Sequence, residues 1–385
     1  MTRPTSATGR GPARAPERPR VRVLVVNAGS SSVKLSLIGA DDAALLEREL
    51  AAPHSRVDPD ELRAALGEGL GEVDAIGHRI VHGGERFREP VLIDRGVEDA
   101  LRALVEMAPL HQPKSLSALD AVSASLPGIP AVACFDTAFH ATLSPAAYTY
   151  ALPARWRERW PIRRYGFHGL SHAWVARRVP QLLGQDPSEL RIVSCHLGAG
   201  ASLCAIAAGR SVDTTMGFTP LEGLVMATRS GSVDPGLLLW LMEHTGMAEA
   251  ELAEALEHES GILGLAGSAD MREVVAQAES GRREARLALD VYVHRLRGAV
   301  AAMAATLGGL DALVFTGGVG ENSAGIRATV AADLAFLGVG IDGRLNDAAA
   351  EDVEITAAGA AARTLLIHAR EDLEIAGQVR RRLER

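Results

Sequence analysis

Two arginines lie among small residues that leave a guanidinium room to grip an anion. Arg79 sits in Gly77-His-Arg-Ile-Val-His-Gly-Gly84, and Arg229 in Ala227-Thr-Arg-Ser-Gly-Ser-Val-Asp-Pro235. An arginine fork binds a carboxylate or phosphate through two parallel N–H bonds. A surface ion pair is the plainer use of the same residues. Asp136 follows the apolar run Ile129–Ala133, inside Cys134-Phe-Asp-Thr-Ala-Phe-His140. α/β proteins bind ligands beyond the carboxyl ends of their strands. An aspartate there can equally cap a helix.

Three turns have a composition that can approach phosphate, although glycine-rich turns are common for other reasons. Asn27-Ala-Gly-Ser-Ser-Ser-Val-Lys34 combines a glycine, serine hydroxyls (Ser30–Ser32) and a lysine. Its backbone N–H groups, hydroxyls and Lys34 ammonium suit phosphate oxygens, although an ordinary polar hairpin turn has the same composition. It is not a P-loop. His196-Leu-Gly-Ala-Gly-Ala-Ser202 is the second turn, and Gly317-Gly-Val-Gly-Glu-Asn322 the third. The third lacks the full dinucleotide fingerprint, which argues against hydride transfer. Lysine occurs only at Lys34 and Lys114, which singles both out. His78/His82 and His168/His172 are spaced by four, but neither pair has the glutamate of H-E-x-x-H. Neighbouring glycines disfavour the continuous helix a zinc site would need, so zinc is not expected.

These groups need elements to hold them. Val21–Ile38 reads as strand, tight turn and strand, and Leu190–Ile206 repeats the unit about 170 residues later. Leu310–Asn322 reads as a buried strand ending in a glycine-rich turn. Helical periodicity marks Glu98–Met107, Leu170–Leu183, Asp234–Met242, Ala285–Leu307 and Glu371–Leu383. The alternation predicts α/β domains, and the repeated unit predicts a duplicated domain with a ligand between the copies. Arg155–Arg163 is a candidate junction.

Bulk properties narrow the class. The 385 residues suffice for two domains, and 47% are hydrophobic, enough for real cores. A net charge of −8 argues against a general nucleic-acid binder, and no apolar run has the ~20 residues of a membrane span. Three cysteines without a C-x-x-C pair fit a reducing cytosol. Residues 1–20, with five arginines and four prolines, read as a disordered tail.

Taken together, the segments VLVVNAGSSSVKLSL, GHRIVHGGERF, APLHQP, CFDTAFHATL, YGFHGLSH, HLGAGASL, SVDTTMGFTPLEGLVMATRSGSVDP and FTGGVGEN closely resemble the acetate kinase family over about residues 21–380. The resemblance implies two duplicated α/β domains of the acetate-and-sugar-kinase, chaperone and actin fold. Residues 21–150 would form the first, with a helix at about 370–385 packing back on it, and residues 151–369 the second. ATP would lie in the interdomain cleft. It implies reversible transfer of the ATP γ-phosphoryl group to acetate, giving acetyl phosphate and ADP. The cofactor would be Mg²⁺ (or Mn²⁺), the assembly a homodimer and the compartment the cytoplasm. Neither nucleic acid nor a membrane is an expected partner.

By the same resemblance, Asp136, His168 and Arg229 are catalytic. Arg79, Val81, Leu110, Phe167 and Pro220 bind the acyl substrate. Lys34, His196, Leu197, Gly198, Ala199, Gly200, Asp270, Met271, Arg272, Gly318, Val319, Gly320, Glu321 and Asn322 face the nucleotide, and Asn27 and Glu371 hold the metal. Departures occur at Ala199, where the family has Asn, at Gln112 in APLHQP, and at His368-Ala-Arg before Glu371. Glu371 also opens a helical pattern, where the helix dipole alone favours an acid. A propionate or butyrate kinase of the same family is the alternative. A chaperone or filament protein of this fold would not need two substrate-facing arginines.

Overall fold

The structure, a computed structural model, describes residues 21–29, 32–51, 59–67, 71–107 and 112–385. The tail 1–20, Ser30, Ser31 and Leu110 lie outside the described residues.

Two six-stranded sheets share one plan. The first contains β1 (Val23–Ala28), β2 (Ser32–Ile38), β3 (Ala44–Ala51), β4 (Ala75–Ile80), β5 (Val91–Leu92) and β6 (Ala131–Phe135), in the order β3-β2-β1-β4-β6-β5. The second contains β7 (Arg191–Leu197), β8 (Ala201–Ala207), β9 (Arg210–Thr214), β10 (Ala312–Thr316), β11 (Val353–Glu354) and β12 (Arg363–Leu366). Its order, β9-β8-β7-β10-β12-β11, is the same path read again. Each sheet starts as an antiparallel meander, continues through two parallel crossover strands and ends on a short antiparallel edge. The duplication expected from two strand pairs thus extends to all twelve named strands.

Apolar residues on both faces of the central strands explain the layering. In β1, Leu24 and Val26 face a core shared with Ala118 and Val122 of α1 (Gln112–Ser125). Val23 and Val25 face the opposite core. Leu170, at the start of α2 (Gly169–Leu183), joins that core, while Val175 and Val179 farther along α2 pack under the second sheet with Ile192, Ile206 and Val314. One helix therefore serves both sheets. The helix α3 (Pro235–Thr245) has no buried residue. On the outer face of the second sheet, α4 (Arg283–Leu307) buries Ala288, Tyr292, Leu296 and Val300.

The segment read as a turn after β10 is instead a short helix, α5 (Gly317–Asn322). Its glycines permit the sharp entry, with Gly317 at φ 78, and Glu321 stabilises it by accepting from the Gly317 N–H at 2.9 Å. The final helix, α6 (Glu371–Leu383), lays Ile375, Ala376 and Val379 on the Val23/Val25 face of the first sheet. Its first turn is acidic and its last turn basic, both in the sense the helix dipole favours. Gly77 in β4 makes the fit possible: a Cβ there would lie 2.5 Å from Ile375 Cγ2.

Candidate active site

A cavity of about 420 Å³ opens between the sheets. The first sheet and α6 contribute Asn27, Lys34, Arg79, Val81, Asp136 and Glu371 to its wall; His168, His196, Gly198–Gly200, Pro220 and Arg229 face them. Most of these follow from strand ends. Asn27 closes β1, and the β1–β2 register sets Lys34 opposite it. Arg79 is next to last in β4, and Asp136 directly follows β6.

Arg79 is the hub of the near wall. Its Nε lies 3.1 Å from both Asp136 oxygens, and its Nη2 lies 2.6 Å from Oδ2. Nη1 donates to Asn27 Oδ1 at 3.0 Å, and the Asn27 amide donates to Glu371 Oε2 at 2.9 Å. Asp136 therefore serves neither as a helix cap nor as a surface group. Burial and the Glu371 charge push its carboxyl pKa up, against the pull of Arg79. For Glu371, burial also raises the pKa, but Arg79, His196, the Asn27 bond and Lys34 outweigh it and hold the carboxyl below its usual range.

Arg229 forms the far wall. Its Nε lies 2.9 Å from Glu257 Oε2, and its Nη1 reaches the Pro220 carbonyl at 3.5 Å. Both arginines are ion-paired, yet both line the cavity. His168 stands beside Arg229 in a left-handed conformation, φ 56, costly for a non-glycine residue. Gly166 before it, at φ 75, has no room for a side chain against His140 and Thr214. The rings of His168 and His196 are 4.4 Å apart. Burial lowers both pKa values, His168 well below its ordinary value, with His196 and Arg79 adding to the effect at His168.

Val81, Phe167 and Pro220 give the cavity a small apolar corner. Gln112 fixes the turn behind Val81 by accepting from the His82 N–H at 3.2 Å and donating to the His82 carbonyl at 3.3 Å. Lys114 also lines the cavity, where burial and the Arg229 charge lower its pKa. Both lysines of the chain therefore face one space, although only Lys34 was assigned a role from the sequence. Glu257 was missed outright. It lies in a π-helical turn, Ala255–Glu259, and π turns often mark functional sites, but nothing in its local sequence signals one.

Not every expected nucleotide residue lines the cavity. The Leu197 side chain is fully buried in the core of the second sheet, leaving only its backbone for a ligand. Asp270 caps the helix Met271–Glu279 and pairs with Arg272 at 2.6 Å, outside the cavity wall. Gly318–Asn322 belong to α5, at the same sheet end as His196, because Thr316 is in register with it. Glu321 accepts from Ala369 N–H at 2.9 Å, tying α5 to the approach to Glu371. Ala199 contributes backbone: its carbonyl accepts from Ala227 N–H at 3.0 Å.

A hard divalent cation bound through phosphates needs only one or two protein oxygens. Asn27 Oδ1 and the Glu371 carboxylate, joined through the Asn27 amide, fit that donor set.

A sequence profile described as the Acetokinase family matches residues 59–377. The chain is 46% identical over 386 residues to the acetate kinase of Leifsonia xyli subsp. xyli, covering 92% of this chain and 97% of that one. It is 41% identical to the acetate kinase of Acetivibrio thermocellus, covering 94% and 99%. The crystal structure of Porphyromonas gingivalis acetate kinase matches with a TM-score of 0.86 at 36% identity, over 94% of this chain and 100% of that one. A propionate kinase from Francisella tularensis subsp. tularensis matches with a TM-score of 0.87 at 35% identity, over 94% and 99%.

Proposed function

Because the chain belongs to the acetokinase family, and is an enzyme of the ATP:acetate phosphotransferase type, we propose that its cleft performs direct in-line phosphoryl transfer to acetate. The observation that carries this reading is that two arginines line one cavity together with the apolar Val81, Phe167 and Pro220. Acetate is ionised at neutral pH and needs no general base. Its obstacle is repulsion from the γ-phosphate, about 4 kcal/mol for two unit charges at ~4 Å and an effective dielectric near 20. Arg79 orients the carboxylate, with Val81, Phe167 and Pro220 around the methyl group. The carboxylate oxygen forms the new bond to phosphorus as the bond to the ADP oxygen breaks, and Arg229 and His168 take up the charge on the transferring group. Such stabilisation by one arginine is worth about 10³–10⁵ in rate. Asp136 acts by holding Arg79, as its bonds to that side chain favour.

ATP and a divalent metal accompany the family; we assign the metal as Mg²⁺, with Mn²⁺ the alternative. Asn27 and Glu371 would hold it, and it would supply positive charge to the phosphates. Lys34, His196–Gly200, Asp270–Arg272 and Gly318–Asn322 are assigned to the nucleotide. Residues 21–150 with α6 form one ATPase half and 151–369 the other, a division the two sheets favour. No helix among the described residues is long and apolar enough to cross a membrane. Three buried free cysteines suit a reducing compartment, so we place the protein in the cytoplasm. The exposed Leu237, Leu239 and Trp240 of α3 favour a homodimer.

Trapping acyl phosphate with hydroxylamine tests the function. Wild type should yield acetyl hydroxamate, and Arg79→Ala almost none; equal product from both would overturn the substrate assignment. The match to a propionate kinase keeps a larger acid in view, since one methylene changes discrimination by only ~1–3 kcal/mol. The ratio of kcat/KM for acetate and propionate decides between them.

A further inference from the structure

Four histidines, two lining the cleft and two behind it, share one device. A serine hydroxyl lies on Nδ1 of each: Ser211 on His140 at 2.8 Å, and Ser202 on His168, Ser194 on His172 and Ser171 on His196, each at 2.9 Å. A hydroxyl can donate or accept, so the pairing alone leaves the tautomers open. The remaining partners decide three of them.

His140 Nε2 meets the Phe167 carbonyl at 3.0 Å. A carbonyl only accepts, so this ring carries its hydrogen on Nε2 and Nδ1 accepts from Ser211. His172 Nε2 lies 2.9 Å from the same Ser202 hydroxyl that meets His168 Nδ1. That hydroxyl has one hydrogen and two lone pairs; it is fully buried, and among the described residues only these two rings meet it, so its hydrogen is paired only when one ring accepts it and the other donates. Ser194 sets the direction. It is fully buried, and among the described residues its hydroxyl has no partner besides His172. Were His172 protonated on Nδ1, the Ser194 hydrogen would be stranded, a cost of about 1–3 kcal/mol. The hydrogens therefore run from Ser194 to His172 Nδ1, from His172 Nε2 to Ser202, and from Ser202 to His168 Nδ1.

We propose that Ser194, His172 and Ser202 are positioning residues that lock His168 as the neutral Nε2–H tautomer and aim that N–H into the cleft as a donor to the transferring phosphoryl group. The role in transfer rests on the phosphotransferase reading; the tautomer does not. The opposite edge of the His168 ring faces Gly200: a Cβ there would lie 3.3 Å from His168 Nε2 and 3.7 Å from Arg229 Nη1. The N–H and the guanidinium thus converge over a residue without a side chain. His140 adds a backbone constraint by holding the carbonyl of Phe167, immediately before His168. A neutral N–H fixed in this way can donate in the transition state without first acquiring or losing a proton, so its orientation needs no reorganisation during transfer.

The test is a long-range ¹H–¹⁵N correlation spectrum of the full chain labelled at histidine, assigned with His168→Gln, alongside steady-state kinetics. Wild-type His168 should show a protonated Nε2 and an unprotonated Nδ1. Ser202→Ala should mix the tautomers and lower kcat about tenfold or more while KM for acetate and ATP stays within about twofold. His172→Gln, whose amide can still donate to Ser202, should keep most of kcat, whereas His172→Leu should not. A wild-type His168 protonated on Nδ1 overturns the proposal, as does a Ser202→Ala enzyme with unchanged tautomer and kcat. Failure of the hydroxamate trap would instead strike the functional reading, and the spectrum would still report the tautomer.

Discussion

Arg79 meets Asp136 and Asn27 with three of its N–H directions, so charge without fork geometry should not suffice. Arg79→Lys is expected to lower kcat/KM for acetate about 10²-fold through misplacement of the acceptor, read by steady-state kinetics. Wild-type efficiency in that variant would contradict the gripping role. Asp136→Asn should weaken the same grip; full activity with unchanged metal dependence would exclude its role as the holder of Arg79. The buried imidazoles make a second residue-level prediction. Burial lowers His78, His82 and His140 to about 4, from an ordinary value of 6.5. Between those values the unfolded chain binds protons that the folded chain refuses. Stability is therefore fully present above pH 6.5 and is lost as pH falls toward 4. Each ring contributes a slope of up to about 1.4 kcal/mol per pH unit. Urea unfolding at pH 7, 6 and 5 should show the decline, and a flat profile would contradict it.

At the level of elements, Gly77 couples β4 to α6 and hence to Glu371. Gly77→Ala would press a methyl group against Ile375 and Val379, at a cost of about 1–3 kcal/mol. The unfolding midpoint should fall and the divalent-metal concentration for half-maximal activity should rise; an unchanged requirement would contradict the proposed assignment of Glu371 to the metal. The hairpins β1–β2 and β7–β8 were legible because apolar alternation and a glycine turn are local signals. The helix after β10 was not, because its glycines are also the residues of turns and only the Glu321 bonds to Gly317 and Ala369 distinguish the two. Asp136 and Arg79 were each legible, but their union was not: 57 residues separate them, and the parallel register of β4 and β6 brings them together. Glu257 and the serines on the histidines are ordinary residues locally and acquire meaning only from what packs across from them.

In the molecule as a whole, the two sheets share α2, and most of the apolar surface lies in their cores; α3 is the conspicuous exception. Leu239 is 68% exposed and Trp240 51%, an apolar face that the proposed homodimer would cover. Leu239→Arg with Trp240→Glu should shift the sedimentation coefficient from a dimer to a single chain; an unchanged coefficient would move the contact elsewhere. The bond between Asn27 and Glu371 spans 344 residues. At roughly 5–20 residues per second of synthesis, Glu371 joins the chain about 17–70 s after Asn27. For that interval the Val23/Val25 face lacks its α6 cover, and Asn27 lacks the Glu371 carboxylate it bonds. Until then the nascent chain lacks the assembled near wall of the cleft and carries an uncovered apolar face.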